Sequence, residues 1–485
     1  MQSVEKAPPP SRALETVPLV VDLDGSVLRT DTLIESMFVL ARTRPLSLFK
    51  LPFWRLKGAA YFKRRLAETA MPDVHLLPYR SDVLAYLRAQ KDLGRPLILA
   101  TAADEKLARE VDREVGLFDE ILASDGHVHL SGKRKRDRLV AEFGQQGFDY
   151  IGNHAGDYPA WGAARRALLV SPSPHLEHKV AKFAPVERIL REPSVRWRDY
   201  LHALRPHHWI KNCLVFLPLV SVHEFFDVDL LERATLAFIA FNLCASSVYL
   251  LNDLMDLPAD RCHPRKRERR LAAGRVPLAH ALLMMPLLLA GAFSIAWHLT
   301  LGVAAVLALY CVMMISYSMK LKDLAIVDVL VLAGGYALRV AAGSLAVDIG
   351  VSAWLLTYCM FLFFSLALIK RYSELVMLES MTGAEAHARG YLGVDKVILA
   401  AQGIASGYLA VLVLALYTNS DIIQQLYARH NFFWTICLLL LYWVSYLWMM
   451  AVRGRIHEDP LVFALADPVS RWTIAVMGLV ALLAI

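Results

Sequence analysis

From Leu201 onward, long apolar runs alternate with short charged loops. About 20 apolar residues in a helix cross the hydrocarbon of a bilayer. Inside it only helices and closed barrels satisfy every backbone N–H and C=O. This stretch is therefore expected to be an all-helical, polytopic membrane domain. About nine runs qualify, near 208–226, 233–252, 277–297, 299–318, 324–345, 351–370, 395–417, 431–451 and 470–485. Lys and Arg concentrate in the loops at 253–276, 319–323, 371–394 and 452–469. The positive-inside rule places these loops, and the N-terminal half with them, in the cytoplasm, and the C-terminus outside. A net charge of +7 then reflects basic cytoplasmic loops, and nucleic acid is not expected as a partner. None of the six cysteines precedes Cys213 and none form a CxxC pair, which argues against a disulfide framework or a zinc site. The N-terminus lacks the apolar core of a signal peptide.

The first 200 residues are different. Residues 1–17 are Pro-rich and expected to be disordered. "VPLVVDLDGS", "RPLILATAADEKLAREV", "FDEILAS", "FDYIGNHAGD" and "ALLVSPSP" read as strands alternating with helices. That pattern predicts an α/β domain over 18–170 with a parallel sheet and catalytic loops at the strands' carboxyl ends. Residues 33–90 read as a helical cap and 171–200 as a linker to the membrane domain, 201–485. Within the cap, "RTRPLSLFKLPFWRLKGAAYFKRRL" mixes Phe, Leu and Trp with many basic residues. It fits a helix resting on anionic headgroups, or equally a cap with a solvated basic face.

The charges in the membrane half fall in clusters. "YLLNDLMDLPADRCHPRKRERR", Tyr249 to Arg270, ends an apolar run in Asn252, Asp253, Asp256 and Asp260 and continues into Arg261, Lys266, Arg267 and further arginines. A carboxylate near the centre of a membrane helix costs about 3 kcal/mol, less near its end, so three together are not there for stability. Spacing of i, i+3, i+7 puts the aspartates on one helix face, unless Pro258 ends the helix there. Hard oxygen ligands suit Mg²⁺ together with phosphate oxygens, and arginines bind phosphate bidentately. The alternative is a salt-bridged helix end. Lys211 and Asn212 lie in "LRPHHWIKN"; Tyr317, Lys322, Asp328 and Arg339 lie in "YSMKLKDLAIVDVLVLAGGYALRVAAG"; Lys370 and Arg371 follow later. Together they place phosphate-binding chemistry at one membrane face.

"NDLMDLPADRCHP" matches the NDxxDxxxD motif of the UbiA superfamily of intramembrane prenyltransferases, and "YSMKLKDLAIVD" resembles its second motif. "LRPHHWIKNCLVF", "DRCHPRKRERRLAAGRVP", "LRVAAG", "KRYSEL" and "RIHEDPLVFALADPVS" resemble the polyprenyl-phosphate phosphoribosyltransferase branch. The resemblance implies transfer of phosphoribose from phosphoribosyl diphosphate (PRPP) to a polyprenyl phosphate such as decaprenyl phosphate, releasing diphosphate. Mg²⁺ would lie on Asp253 and Asp256, with Asn252 and Asp260 as further ligands. Lys211, Asn212, Arg261, Lys266, Arg267, Tyr317, Lys322, Asp328, Arg339, Lys370 and Arg371 are the candidate substrate contacts. Rival readings are a prenyl-diphosphate-dependent aromatic prenyltransferase and a transporter.

"VVDLDGSVLRTDT" resembles motif one of the haloacid dehalogenase (HAD) phosphatases. By that resemblance Asp22 is the nucleophile, Asp24 the general acid/base, Thr101 and Lys135 (with Lys133 as the alternative to Lys135) phosphate contacts, and Asn153 and Asp157 metal ligands beside Asp22 and Asp24. The family's first acid of motif four is here Asn153, a neutral ligand that weakens the case for Mg²⁺ and leaves a purely regulatory domain as an alternative. The two resemblances imply a bifunctional enzyme that makes phosphoribosyl lipid and then removes its 5-phosphate, supplying pentose such as arabinofuranose to envelope glycans. Its expected location is the bacterial inner membrane, with both sites cytoplasmic. Self-association into a homo-oligomer is left open.

Overall fold

The computed structural model describes residues 17–191, 195–224, 226–263, 266–382, 387–388, 390–456 and 459–485. The expected disordered tail thus falls almost wholly outside the described residues. The chain divides into two units, Met1–Ala203 with Asp253–Leu283, and Leu204–Asn252 with Met284–Ile485.

The first unit is built on a parallel sheet of order β3-β2-β1-β4-β5-β6. The strands are β1 Leu19–Val21, β2 Leu97–Asp104, β3 Glu120–Ser124, β4 Asp149–Gly152, β5 Arg166–Val170 and β6 Val186–Leu190. Side chains alternate along a strand. Leu19, Val21, Leu97, Leu99 and Ile151 therefore enter one core, while Val20, Ile98, Ala100 and Tyr150 enter the other. A strand buried on both faces needs an unbroken apolar run, which "LVV" and "LILA" supply. Strand order reverses between β1 and β4, and ligands of open α/β sheets bind beyond the strand ends at that point. Asp22 is the first residue past β1.

The helical cap follows β1. Its helices Thr32–Thr43, Leu51–Leu56 and Ala59–Thr69 bury Leu40, Trp54, Phe62 and Leu66 in a small core of their own. Asp31 caps the first helix, accepting from the Leu33 and Ile34 amides. The stretch expected to be a linker is ordered in part. Pro174–Val180 is a helix and Val186–Leu190 pairs with β5. "VERIL" is an edge strand with two exposed positions, so it lacks the continuous apolar signal of the inner strands.

The second unit is helical. Among the described residues, seven helices are long and apolar enough to cross a membrane, or eight counting the bent pair Pro460–Ala466 and Pro468–Ala484. The expected count of about nine was high at the first run. Near 208–226 the chain forms a 3₁₀ segment, Pro206–Phe216, and the short helix Leu217–Ser221. Pro206 and Pro218 sit at the starts of these pieces, where the missing N–H costs nothing. The 3₁₀ segment is seated by Gly343, where a Cβ would fall 2.1 Å from the Val215 carbonyl oxygen. This close approach brings Asn212 to Arg339.

Beneath the sheet, Asp149 is fully buried and pairs with Arg95 and Arg165. Removing one partner of a buried pair costs about 3–5 kcal/mol, because the other charge stays behind. Asp149→Ala is thus expected to lower the unfolding temperature of the first unit sharply, read by proteolysis across a thermal ramp. Unchanged resistance would contradict this account.

Candidate functional site

In the first unit the sequence-selected carboxylates converge. Asp22 and Asp24 line a cavity of about 430 Å³ with Lys63, Lys135, Asn153 and Asp157. The turn needs Gly25, whose φ is +78° and whose Cβ would overlap Asn153 at 2.0 Å. Lys135 Nζ donates to Asp22 Oδ1 at 2.7 Å and to the Tyr150 hydroxyl at 3.0 Å, and lies 3.7 Å from Asp157. Tyr150 in turn donates to Asp157 Oδ1 at 2.9 Å. The other Asp157 oxygen faces the Asn153 amide at 3.2 Å and His154 Nδ1 at 2.8 Å. The Thr32 amide donates to Asp24 Oδ1 at 2.9 Å, which ties that carboxylate to the cap. Thr101 is buried within β2, where its hydroxyl accepts from the Ala103 amide.

Burial shifts these groups. Desolvation, reinforced by Asp31, pushes Asp24 up to about 7, the range where a carboxyl can give and take a proton near neutrality. Burial also raises Asp22, against the pull of Lys135. Lys135 is itself raised, because Asp22 and Asp157 outweigh its desolvation. A bound cation would favour the charged form of Asp22. The donor set fits one: Asp22, His154 and Asp157 offer ligand atoms within 4.8 Å of one another. Asn153 Oδ1 is buried without a hydrogen-bond partner, a neutral oxygen available to a metal.

The acidic segment is not one continuous helix. Val228–Met255 ends before Asp256, which begins Leu257–Cys262 with Pro258 in its first turn. The break comes before the proline, because proline excludes the helical ladder on its N-terminal side. Asp253 and Asp260 still meet, both accepting from Arg269 Nη1 at 3.3 and 2.6 Å. Asp256 turns toward Arg42 of the cap at 3.5 Å. Arg261 is held by Glu35 at 2.6 Å and by the Ala272 carbonyl, so its fork is directed at the cap. Lys266 lies in a short 3₁₀ turn and Arg267 is exposed.

In the second unit, Lys211, Lys322, Arg339 and Arg371 are all buried. Lys211 and Lys370 share Asp459. Lys322 Nζ lies 3.5 Å from Asn252 Oδ1. Arg371 pairs with Asp328 and Glu374 and donates to the Tyr317 hydroxyl at 2.8 Å, while Tyr391 donates to Asp328 at 2.5 Å. Asp328 is therefore a partner of Arg371. Arg339 donates to Asn212 Oδ1 (2.5 Å), the Gly335 carbonyl (2.6 Å) and the Tyr310 hydroxyl (2.9 Å), and lies over the Tyr310 ring. All three acceptors are neutral.

Sequence reading gave no role to Lys63, Tyr150, His154, Glu35 and Asp459. All but Glu35 stood inside stretches already singled out: Lys63 in the basic cap run, Tyr150 and His154 in "FDYIGNHAGD", and Asp459 in "RIHEDPLVFALADPVS". The fold joins each of them to its site.

Comparison with known proteins agrees with this architecture. The chain is 33% identical over 464 residues to the uncharacterized protein y4nM of Sinorhizobium fredii, covering 95% of this chain and 89% of that one. It is 34% identical over 287 residues to nodulation protein NoeC of Azorhizobium caulinodans, covering 59% and 92%. It is 40% identical over 189 residues to the decaprenyl-phosphate phosphoribosyltransferase of Mycolicibacterium smegmatis, covering 38% and 59%. The family model that matches, over residues 213–465, is that of the UbiA prenyltransferases. With that match over more than half of its length and a membrane domain of seven or eight candidate spans, the chain belongs to the UbiA prenyltransferase family.

Proposed function

We propose that the membrane domain transfers 5-phosphoribose from PRPP to a polyprenyl phosphate, and that the α/β domain then removes the 5-phosphate. The observation that carries this reading is the set of buried cations in the second unit. Among the described residues Lys211, Lys322, Arg339 and Arg371 are buried there, and Arg339 is held by neutral oxygens. Ionisable residues inside a membrane domain mark a ligand site by default, and a cluster of buried cations suits an anion. PRPP and a lipid phosphate are both polyanions. The likeness to decaprenyl-phosphate phosphoribosyltransferases supports this choice over transfer of a prenyl group to an aromatic acceptor.

In the transfer, a lipid phosphate oxygen forms a bond to the ribose anomeric carbon as the bond to diphosphate breaks. The nucleophile is already an anion, so no side chain need remove a proton. Asn252, Asp253, Asp256 and Asp260 would hold Mg²⁺, which when bound neutralises the leaving diphosphate. The cation at Arg269 between Asp253 and Asp260 supports their use as a positive-charge site. Lys211 and Lys322 would bind phosphate oxygens. Arg339 orients Asn212 and keeps its charge, because its acceptors are neutral.

In the second reaction the Asp22 carboxylate attacks phosphorus as the ester oxygen leaves. Asp24 gives that oxygen a proton and later takes one from the attacking water. Lys135 holds Asp22 in line and offsets phosphate charge, with Thr101 as a further contact. Asp22, Asp24, Asn153 and Asp157 would hold the Mg²⁺ of this site. Its product, a polyprenyl-phosphoryl-ribose, suits a supply of pentose for envelope glycans. Basic loops on one side support a bacterial inner-membrane enzyme with both sites in the cytoplasm.

Three outcomes follow for the reconstituted enzyme. Asp253→Asn is expected to slow diphosphate release about a hundredfold or more, the scale of losing one fixed electrostatic partner of a transition state. Asp22→Asn should release diphosphate at the wild-type rate yet release no inorganic phosphate. Phosphate release at the wild-type rate would remove the phosphatase half. Chelation of divalent cations should stop both releases, and added Mg²⁺ should restore them.

A further inference from the structure

We infer that the cap run Pro45–Leu56 is a membrane-docking element that rests on the anionic surface of a bilayer. The run is a 3₁₀ turn, Pro45–Lys50, continued by the helix Leu51–Leu56. It carries two apolar faces. Leu48, Leu51 and Trp54 turn inward and join the cap core with Leu40, Phe62 and Leu66. Leu46, Phe49, Phe53 and Leu56 turn outward, 79%, 76%, 68% and 85% exposed. They are three, four and three residues apart, the spacing of one face of a helical run. Within the sheet part of this unit, the exposed large apolar side chains Leu93, Val128 and Phe183 occur singly and are less exposed. Isolated exposure needs no explanation, but a contiguous stripe of Leu and Phe does.

Charge identifies the occupant. From Ser36 to Ala67 there are eight Lys and Arg and no Asp or Glu. Arg44, Lys50, Arg55 and Lys57 are exposed around the stripe. Lys57 lies over the Tyr61 ring and Arg65 over the Trp54 ring, which keeps these charges beside the apolar surface. A Leu/Phe stripe flanked by Lys and Arg is the composition of a helix lying in the bilayer interface. A second copy of the same run would bring like charges together, which disfavours self-pairing. The chain also carries its own membrane spans, so a bilayer is always within its reach. The buried Trp54 gives the run a rigid mount on the cap, whose first helix presents the Thr32 amide to Asp24. Docking would thus set the phosphatase-like site at the lipid surface.

The test uses the full chain in vesicles containing a phosphatidylglycerol with a photoreactive acyl chain, followed by mass spectrometry of the peptides. Lipid adducts are expected on residues 46–56. They should disappear in Phe49→Asp/Phe53→Asp. They should fall about fivefold or more in Lys50→Glu/Arg55→Glu, or in wild type when zwitterionic lipid carries the photoreactive chain and no anionic lipid is present. All four positions are exposed, and phosphate release from a small soluble ester checks that each variant is folded wherever the wild type shows it. Protection of amides 45–57 from hydrogen exchange in vesicles provides a readout independent of turnover. Adducts between two copies of this run would make it a protein interface and overturn the proposal. So would absence of adducts together with unprotected amides.

Discussion

Buried positive charge is the constraint on which the membrane domain depends. Placing a guanidinium in hydrocarbon costs at least about 3 kcal/mol on insertion scales. Arg339 meets that cost with the Asn212, Gly335 and Tyr310 oxygens and with an aromatic face. These contacts solvate the charge without cancelling it. Arg371, by contrast, is neutralised locally by Asp328 and Glu374. The two arginines therefore do different work. Arg371 ties Val327–Ala346 to the long helix that follows it, whereas Arg339 leaves a positive potential in the interior. The close approach of Gly343 to Val215 keeps Asn212 within reach of that potential.

The acidic segment from Asp253 onward belongs to the first unit and is tied to the cap there. Glu35 receives Arg261 and the Thr30 hydroxyl, and Asp256 faces Arg42. Both cap residues lie on the helix whose first amide, that of Thr32, binds Asp24.

Much of this was legible in the sequence because it is written in local patterns. The inner strands are unbroken apolar runs, and Asp22, Asp24, Lys135 and Asp157 meet at the strand ends where the α/β pattern put them. The acidic motif was legible too, as was an interruption at Pro258, but not the way its aspartates divide between Arg269 and Arg42. Strand β6 was missed because an edge strand with exposed polar residues carries no strong period. The run near 208–226 was apolar enough to span but is divided by prolines into a 3₁₀ turn and a short helix. The pairings of Asp459 and Lys63, and that of Glu35 with Arg261, had no local signal. Each is separated from its partners by long stretches of chain, and only the packed fold brings them together.

The central claim is that one polypeptide both makes and trims a ribosylated lipid. The most direct measurement is mass spectrometry of the lipid formed when purified enzyme in vesicles meets Mg²⁺, PRPP and decaprenyl phosphate. The account predicts decaprenyl-phosphoryl-ribose lacking the 5-phosphate. A phosphoribosyl lipid that persists would contradict the second step, and no ribosylated lipid from a folded enzyme, with other chain lengths also tried, would contradict the claim as a whole.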